Sequence, residues 1–149
     1  MRNLHGVLLA GFLMLSMLPR SAFADEGAVR SATQALVNAW NRHDVAAWSA
    51  FLSEDAWYTD IDDKYESFKG RKQAIGRLGY SIESSDLEWD IVRVKTRTDG
   101  IVSVVLVQRI SILPKTDGKY KSVFTSDPSI ARWRRDADGH WRVVFFTSH

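Results

Sequence analysis

The chain has 149 residues, 45% apolar and 11% aromatic, with 20 Lys+Arg against 18 Asp+Glu and no cysteine. This length suits one domain able to bury a core of its own. The missing thiol excludes a disulfide scaffold, a cysteine-ligated zinc or iron–sulfur site and a thiol nucleophile. Only three prolines and nine glycines, set among abundant aromatic residues, exclude collagenous and disordered classes.

Arg2 and His5 give a polar, positive start, and Val7 to Leu18 is a twelve-residue apolar run with no charged residue. Such a run has the length of a signal core and is too short to span a bilayer. Pro19 and Arg20 break it, and Ala22-Phe23-Ala24 has the small–x–small form that a signal peptidase cleaves after. The expectation is a signal peptide over residues 1–24 and a periplasmic or secreted domain over residues 25–149, free of the membrane after cleavage. No cysteine follows the core, so lipid attachment there is closed. Cleavage removes Arg2 and Arg20 and no acid, leaving 18 basic and 18 acidic residues. A nucleic-acid binder is visibly basic on some face, so no nucleic-acid partner is expected.

Val29, Ala32, Thr33, Leu36, Val37 and Trp40 recur at the spacing of one helical face, which predicts a first amphipathic helix. Asp44 is suited to cap a short second helix carrying Val45, Trp48, Phe51 and Leu52, ended by Ser53-Glu54-Asp55. Ala56 to Thr59 predicts a short strand, followed by an acidic loop over Asp60 to Asp63 and an extended return through Tyr65 to Phe68. Gly70-Arg71 opens a third helix containing Ala74, Ile75 and Leu78. After Tyr80 the period changes to two. Leu87, Trp89 and Ile91 share one parity and Val92 and Val94 the other, which predicts a β-bulge. Thr98-Asp99-Gly100 is a hairpin signal. Ile101 to Leu113 forms a long strand broken by Pro114, with a turn over residues 115–118. Tyr120 to Phe124 and Ile130 to Trp133 form a strand interrupted near Asp127-Pro128. Asp136 to Gly139 turns into a last strand over Trp141 to Thr147. Helices ahead of a long antiparallel sheet make the fold class α+β.

This order resembles the nuclear transport factor 2-like superfamily, which includes ketosteroid isomerase, SnoaL-like polyketide cyclases and scytalone dehydratase. The resemblance rests on Ala39-Trp40-Asn41-Arg42-His43-Asp44, Phe51, Asp55-Ala56, Gly70-Arg71 with Ala74-Ile75, and Trp133 with Trp141-Arg142-Val143-Val144. It covers residues 25–149. It implies a cone-shaped α+β barrel, three helices packed on a curved antiparallel sheet, an apolar pocket, and a homodimer formed through the outer face of the sheet. One fold of this kind hosts many functions.

The resemblance also places Asp60, at the end of the first strand, where ketosteroid isomerase carries its general base. A carboxylate at the mouth of an apolar pocket can take a proton from a carbon beside a carbonyl. Tyr58 shares its face by period-two alternation, and His149 ends a strand that often closes on a histidine in such proteins. These three are the catalytic candidates. The isomerase's oxyanion residues correspond to Leu36 and to Ser129 or Ile130, so steroid isomerisation is not expected. Trp40, Trp57, Tyr65, Trp89, Phe124 and Phe145 are the candidate pocket lining, with a small apolar molecule as ligand. Asp60, Asp62, Asp63 and Glu66 lack the glycine of a calcium loop and carry Lys64 in the alternating position, so they read as an acidic surface loop. His43 and His140 read as exposed turn residues. No metal and no cofactor is expected, and no nucleophile elbow or phosphate loop occurs. The sequence thus points first to an exported small-molecule-binding domain. An acid/base enzyme of isomerase, cyclase or dehydratase type using Asp60 is the alternative. A third reading has Arg132, Arg134 and Arg142 with Trp133 and Trp141 bind a polyanion or a protein partner.

Overall fold

In the computed structural model residues 21–60 and 67–148 are described; of Asp60, Lys115 and Thr116 only the backbone is. The first helix, α1 (Ala22–Asn41), starts where Ser21 Oγ accepts from the Ala24 amide at 3.3 Å. Its stripe is buried as the spacing requires, with Val29, Thr33, Leu36, Val37 and Trp40 inside and Ala39 added. The helix stops because His43 takes φ 58°, a left-handed turn that a helix cannot continue through. Its ring reaches back, with Nδ1 2.7 Å from the Ile82 carbonyl and Nε2 3.8 Å from Asp86 Oδ1. His43 therefore ties the corner to the elements beneath it. Asp44 caps α2 (Val45–Ser49), its Oδ1 accepting from the Ala47 amide at 2.9 Å.

Strand β1 (Leu52–Asp60) starts earlier than the sequence suggests. Leu52 belongs to the sheet, opposite Val143, and the preceding Phe51 carbonyl accepts from the Val143 amide at 2.8 Å. The polar run Ser53-Glu54-Asp55 hides this start, since it breaks the apolar alternation of a strand. The two-residue strand β2 (Phe68–Lys69) pairs with β1 and leads into α3 (Arg71–Ser84). Gly70 sits at φ 89° between them. Its amide donates to the Ala56 carbonyl at 2.7 Å, while Arg71 donates from Nη2 to the Leu52 carbonyl at 2.6 Å and pairs with Glu54 at 2.8 Å. The Gly-Arg pair thus bolts α3 onto the start of β1.

The remaining strands are β3 (Ser85–Thr96), β4 (Val102–Thr116), β5 (Lys119–Thr125), β6 (Ser129–Arg135) and β7 (Trp141–Ser148). The sheet runs β2-β1-β7-β6-β4-β3, with β5 also on β4, and is antiparallel except for β1 against β7. The fold is α+β, with helices on the inner side of a curved, open sheet. The predicted bulge falls between Ile91 and Arg93, so Val92 is the extra residue and lies exposed. Pro114 does not end its strand as expected. It lies in a register shift between Ile112 and Lys115, where a missing amide is tolerated, and β4 continues to Thr116. The interruption near Pro128 divides one path into two strands along the same edge of β4. There β6 pairs with Val102–Leu106, and β5 with the stretch from Arg109 to Thr116.

Strand β3 ends the sheet, and α1 covers its free edge. Asn41 donates from Nδ2 to the Leu87 carbonyl at 2.9 Å and accepts the Leu87 amide at 2.7 Å. Glu26 accepts the Thr96 amide at 2.9 Å, and Trp40 Nε1 donates to the Ser85 carbonyl at 3.2 Å. These contacts occupy backbone groups that would otherwise invite a foreign strand. The core lies between α1, α3 and the inner sheet face; it includes Leu36, Ile82, Val102, Val104, Leu106 and the fully buried Trp133.

Candidate functional site

Inner positions of a curved sheet converge on the helices, and here they leave a cavity of about 100 Å³. Helix α1 contributes Leu36 and Trp40, α2 contributes Trp48, and α3 contributes Ala74 and Leu78. The sheet supplies the aromatic wall. Phe68 and Tyr58 stack with centroids 4.6 Å apart and planes 2° from parallel, Tyr58 and Phe146 follow at 5.4 Å, and Phe146 and Trp89 at 5.5 Å. Four rings from β2, β1, β7 and β3 thus lie nearly parallel. Trp57, 52% exposed, is the most open of the lining residues and marks the mouth.

Polar groups are few. Tyr58 Oη and Ser148 Oγ are 2.8 Å apart. Gln108 lines the wall on β4, at the parity of Leu106 and Ile110. Among the described lining residues none is charged, which makes the cavity a poor host for a bare ion. Among the described residues no group of three His, Asp or Glu side chains could hold a metal ion.

Of the expected lining, Trp40, Trp57 and Trp89 are in place, and the catalytic candidate Tyr58 joins them. Phe124 is not: it is 61% exposed on β5. Phe145 is not either. A register shift between Arg132 and Trp133 leaves Val144 as an extra residue in β7, so Val143 and Phe146 share the inner side and Phe145 turns out, beneath the Arg132 guanidinium at 4.8 Å. Tyr65 and His149 lie outside the described residues. Asp60 closes β1 with its backbone in register with Ser148; its side chain is outside the described set.

Phe68 and Gln108 were missed as lining. Gln108 had a readable signal, being a polar residue at an inward position of an otherwise apolar alternation. Phe68 precedes the Gly-Arg joint, and that position fixes it against Tyr58.

Two arginines of the terminal hairpin are paired with aspartates. Arg142 bonds Asp138 at 2.7 Å and Asp136 at 3.0 Å, and Arg134 reaches Asp136 and Asp55, each at 3.2 Å. Hydrogen bonds from Arg142 and from the His140 amide hold the Asp138 carboxyl well below the usual range, and the two aspartates hold the Arg142 guanidinium still more firmly protonated. The Ser53 hydroxyl, then Arg134, lower Asp55. Trp133 is buried in the core, Arg134 and Arg142 are paired with aspartates, and the Arg132 guanidinium lies over the Phe145 ring.

A family model described as a SnoaL-like domain matches residues 33–144. Among curated protein sequences none matches the chain. Solved structures similar to it include a domain of unknown function with a cystatin-like fold from Nostoc punctiforme, at TM-score 0.67 and 19% identity, covering 86% of this chain and 78% of that one. A ketosteroid isomerase-like protein from Erwinia carotovora atroseptica is similar at TM-score 0.62 and 19% identity, over 83% of this chain and 94% of its own. A nuclear transport factor 2-like protein of unknown function from Shewanella oneidensis is similar at TM-score 0.62 and 15% identity, over 82% and 96% respectively. These likenesses establish the fold. With the family model spanning most of its length, the chain belongs to the SnoaL-like domain family of the nuclear transport factor 2-like superfamily.

Proposed function

We propose that this protein is an exported SnoaL-like domain that binds a small apolar molecule in its inner cavity. The observation that carries this reading is the cavity wall itself: four near-parallel rings and aliphatic side chains, with no charged group among the described lining. Apolar concavities with a few placed polar groups are the usual form of a small-molecule site. Native mass spectrometry of protein purified from its own source tests it. The expected spectrum contains a fraction of molecules carrying a small neutral adduct. A bare polypeptide in every preparation, together with no rise in melting temperature in toluene-saturated buffer, contradicts it. Export is read at the same time, since the intact mass then starts at Asp25.

A second reading, acid/base catalysis, is favoured by one observation. Strand β1 ends at Asp60 in register with Ser148, whose hydroxyl meets Tyr58 Oη. A carboxylate there takes a proton from the carbon beside a ligand carbonyl and returns it to the resulting enolate. Deuterium exchange beside the carbonyl of cyclohexenone, followed by NMR in D2O, distinguishes the readings. A catalyst accelerates the exchange and loses about 100-fold in Asp60→Asn; a binding protein leaves the buffer rate unchanged. The proposed assembly is a homodimer through the outer sheet face, where Phe145 lies under Arg132, and sedimentation velocity gives twice the chain mass if it holds.

A further inference from the structure

Helix α3 buries Ala74 and Ile82, and Leu78 beside them lines the cavity. Its other face, turned from the core, carries Lys72, Ile75, Gly76, Gly79, Tyr80 and Glu83 at steps of three and four residues. Tyr80 is 81% exposed and Ile75 38%. The charges on this face run against the helix's own preference. A helix favours acids at its start and bases at its end, yet α3 has no acid in its first turn and no base in its last. Lys72 stands near the start and Glu83 near the end, and neither has an ion-pair partner among the described residues. The glycines are equally unexplained from within. Glycine weakens a helix relative to alanine, and here neither takes a positive φ; a Cβ at Gly76 would meet nothing within 4 Å, and one at Gly79 only Val45 Cγ1 at 4.0 Å.

One arrangement accounts for all six residues. A two-fold axis midway between Arg77 and Leu78 sets α3 antiparallel to its own copy. Each residue then comes level with the one equally far beyond the midpoint: Lys72 with Glu83, Ile75 with Tyr80, Gly76 with Gly79. Opposite charges meet at both ends, and the reversed partner dipole faces each charge the helix itself disfavours. Between the ends the glycines admit a close approach, and Tyr80 and Ile75 leave water. We propose that α3 docks antiparallel on α3 of a second copy of this chain. The contact is separate from the outer sheet face and stands independently of what the cavity holds. A pair of 14-residue helices meets over about 21 Å, at the small end of specific interfaces, so the association is weak and reversible.

Sedimentation equilibrium of the whole protein, at concentrations up to about 1 mM, tests the contact with Lys72→Glu, Glu83→Lys and the double variant. Each single reversal sets like charges opposite one another at both ends and should lower the association constant about ten-fold. The double reversal should restore it. Both reversals suit the helix dipole better than the native residues do, so a urea melt should show no loss of stability in any variant. A dimer whose association none of the variants changes is held by the sheet face alone and overturns the α3 contact. Single variants that weaken association with no recovery in the double variant overturn the pairing of Lys72 with Glu83, and with it the proposal. A mass that stays at one chain throughout overturns this contact and the sheet-face dimer together.

Discussion

Gly70 and Tyr58 show how much single residues hold at this site. Gly70 needs φ 89°, and a Cβ there would approach the Glu54 carbonyl oxygen to 3.2 Å. Gly70→Ala should therefore cost about 1–3 kcal/mol in urea denaturation, with the cavity loosened because α3 is anchored through this joint. Tyr58→Phe keeps the stacked ring and removes the bond to Ser148 Oγ, for an expected loss of about 1 kcal/mol. The sequence made some of these residues legible. Trp40, Tyr58 and Trp89 could be placed from periodicity and strand alternation, while Trp57, of opposite parity to Tyr58, reaches the cavity only at its mouth. Phe145 could not, because the extra Val144 leaves no trace in an apolar run; one slipped residue exchanges the inner and outer faces. Gln108 was legible in principle, as a polar break in an inward series.

At the scale of elements, the blocked edge of β3 is the feature most open to test. Asn41 satisfies both backbone groups of Leu87. Asn41→Ala should destabilise the protein by about 1–3 kcal/mol and raise its aggregation at high concentration, since an unblocked edge pairs with foreign strands. Light scattering beside a urea melt reads both, and an unchanged melt with no aggregation contradicts the role. The bulge at Val92 was visible in advance because charged and apolar residues alternate on either side of it, so a change of parity shows. The true start of β1 was not visible, since Ser53, Glu54 and Asp55 carry a loop's composition inside a strand held by Arg71 and β7. Pro114 misled for a similar reason: local chemistry argues for an end, and pairing with β5 overrides it.

For the whole molecule, depressed carboxyls set the pH response. Asp138 is lowered by Arg142, Asp55 by Ser53 and Arg134, and Asp99 by the Ile101 amide and Arg97. A carboxyl whose folded pKa lies below its unfolded value stabilises the fold fully above the unfolded value, near 4, and loses that contribution as pH falls toward the folded one. The melting temperature should hold steady from neutral pH to about 5 and fall below about 4. Arg142→Gln should make the fall shallower, and because these pairs are exposed, 1 M salt should shrink the difference. The helices-then-sheet architecture was legible from the change in period alone; the cavity was expected only through the family resemblance, because its existence depends on how far a curved sheet stands off α1.

The central claim is that this space receives a small molecule, and the indole N–H resonances of the protein report on it directly. Of the six tryptophans, Trp40, Trp48, Trp57 and Trp89 line the cavity, while Trp133 and Trp141 do not. In a two-dimensional ¹H–¹⁵N spectrum recorded during titration with toluene, assigned by Trp→Phe variants, the lining resonances should shift saturably, with Trp89 among them, while those of Trp133 and Trp141 stay in place. A spectrum that toluene leaves unchanged, or one in which all six resonances move alike, would contradict the account.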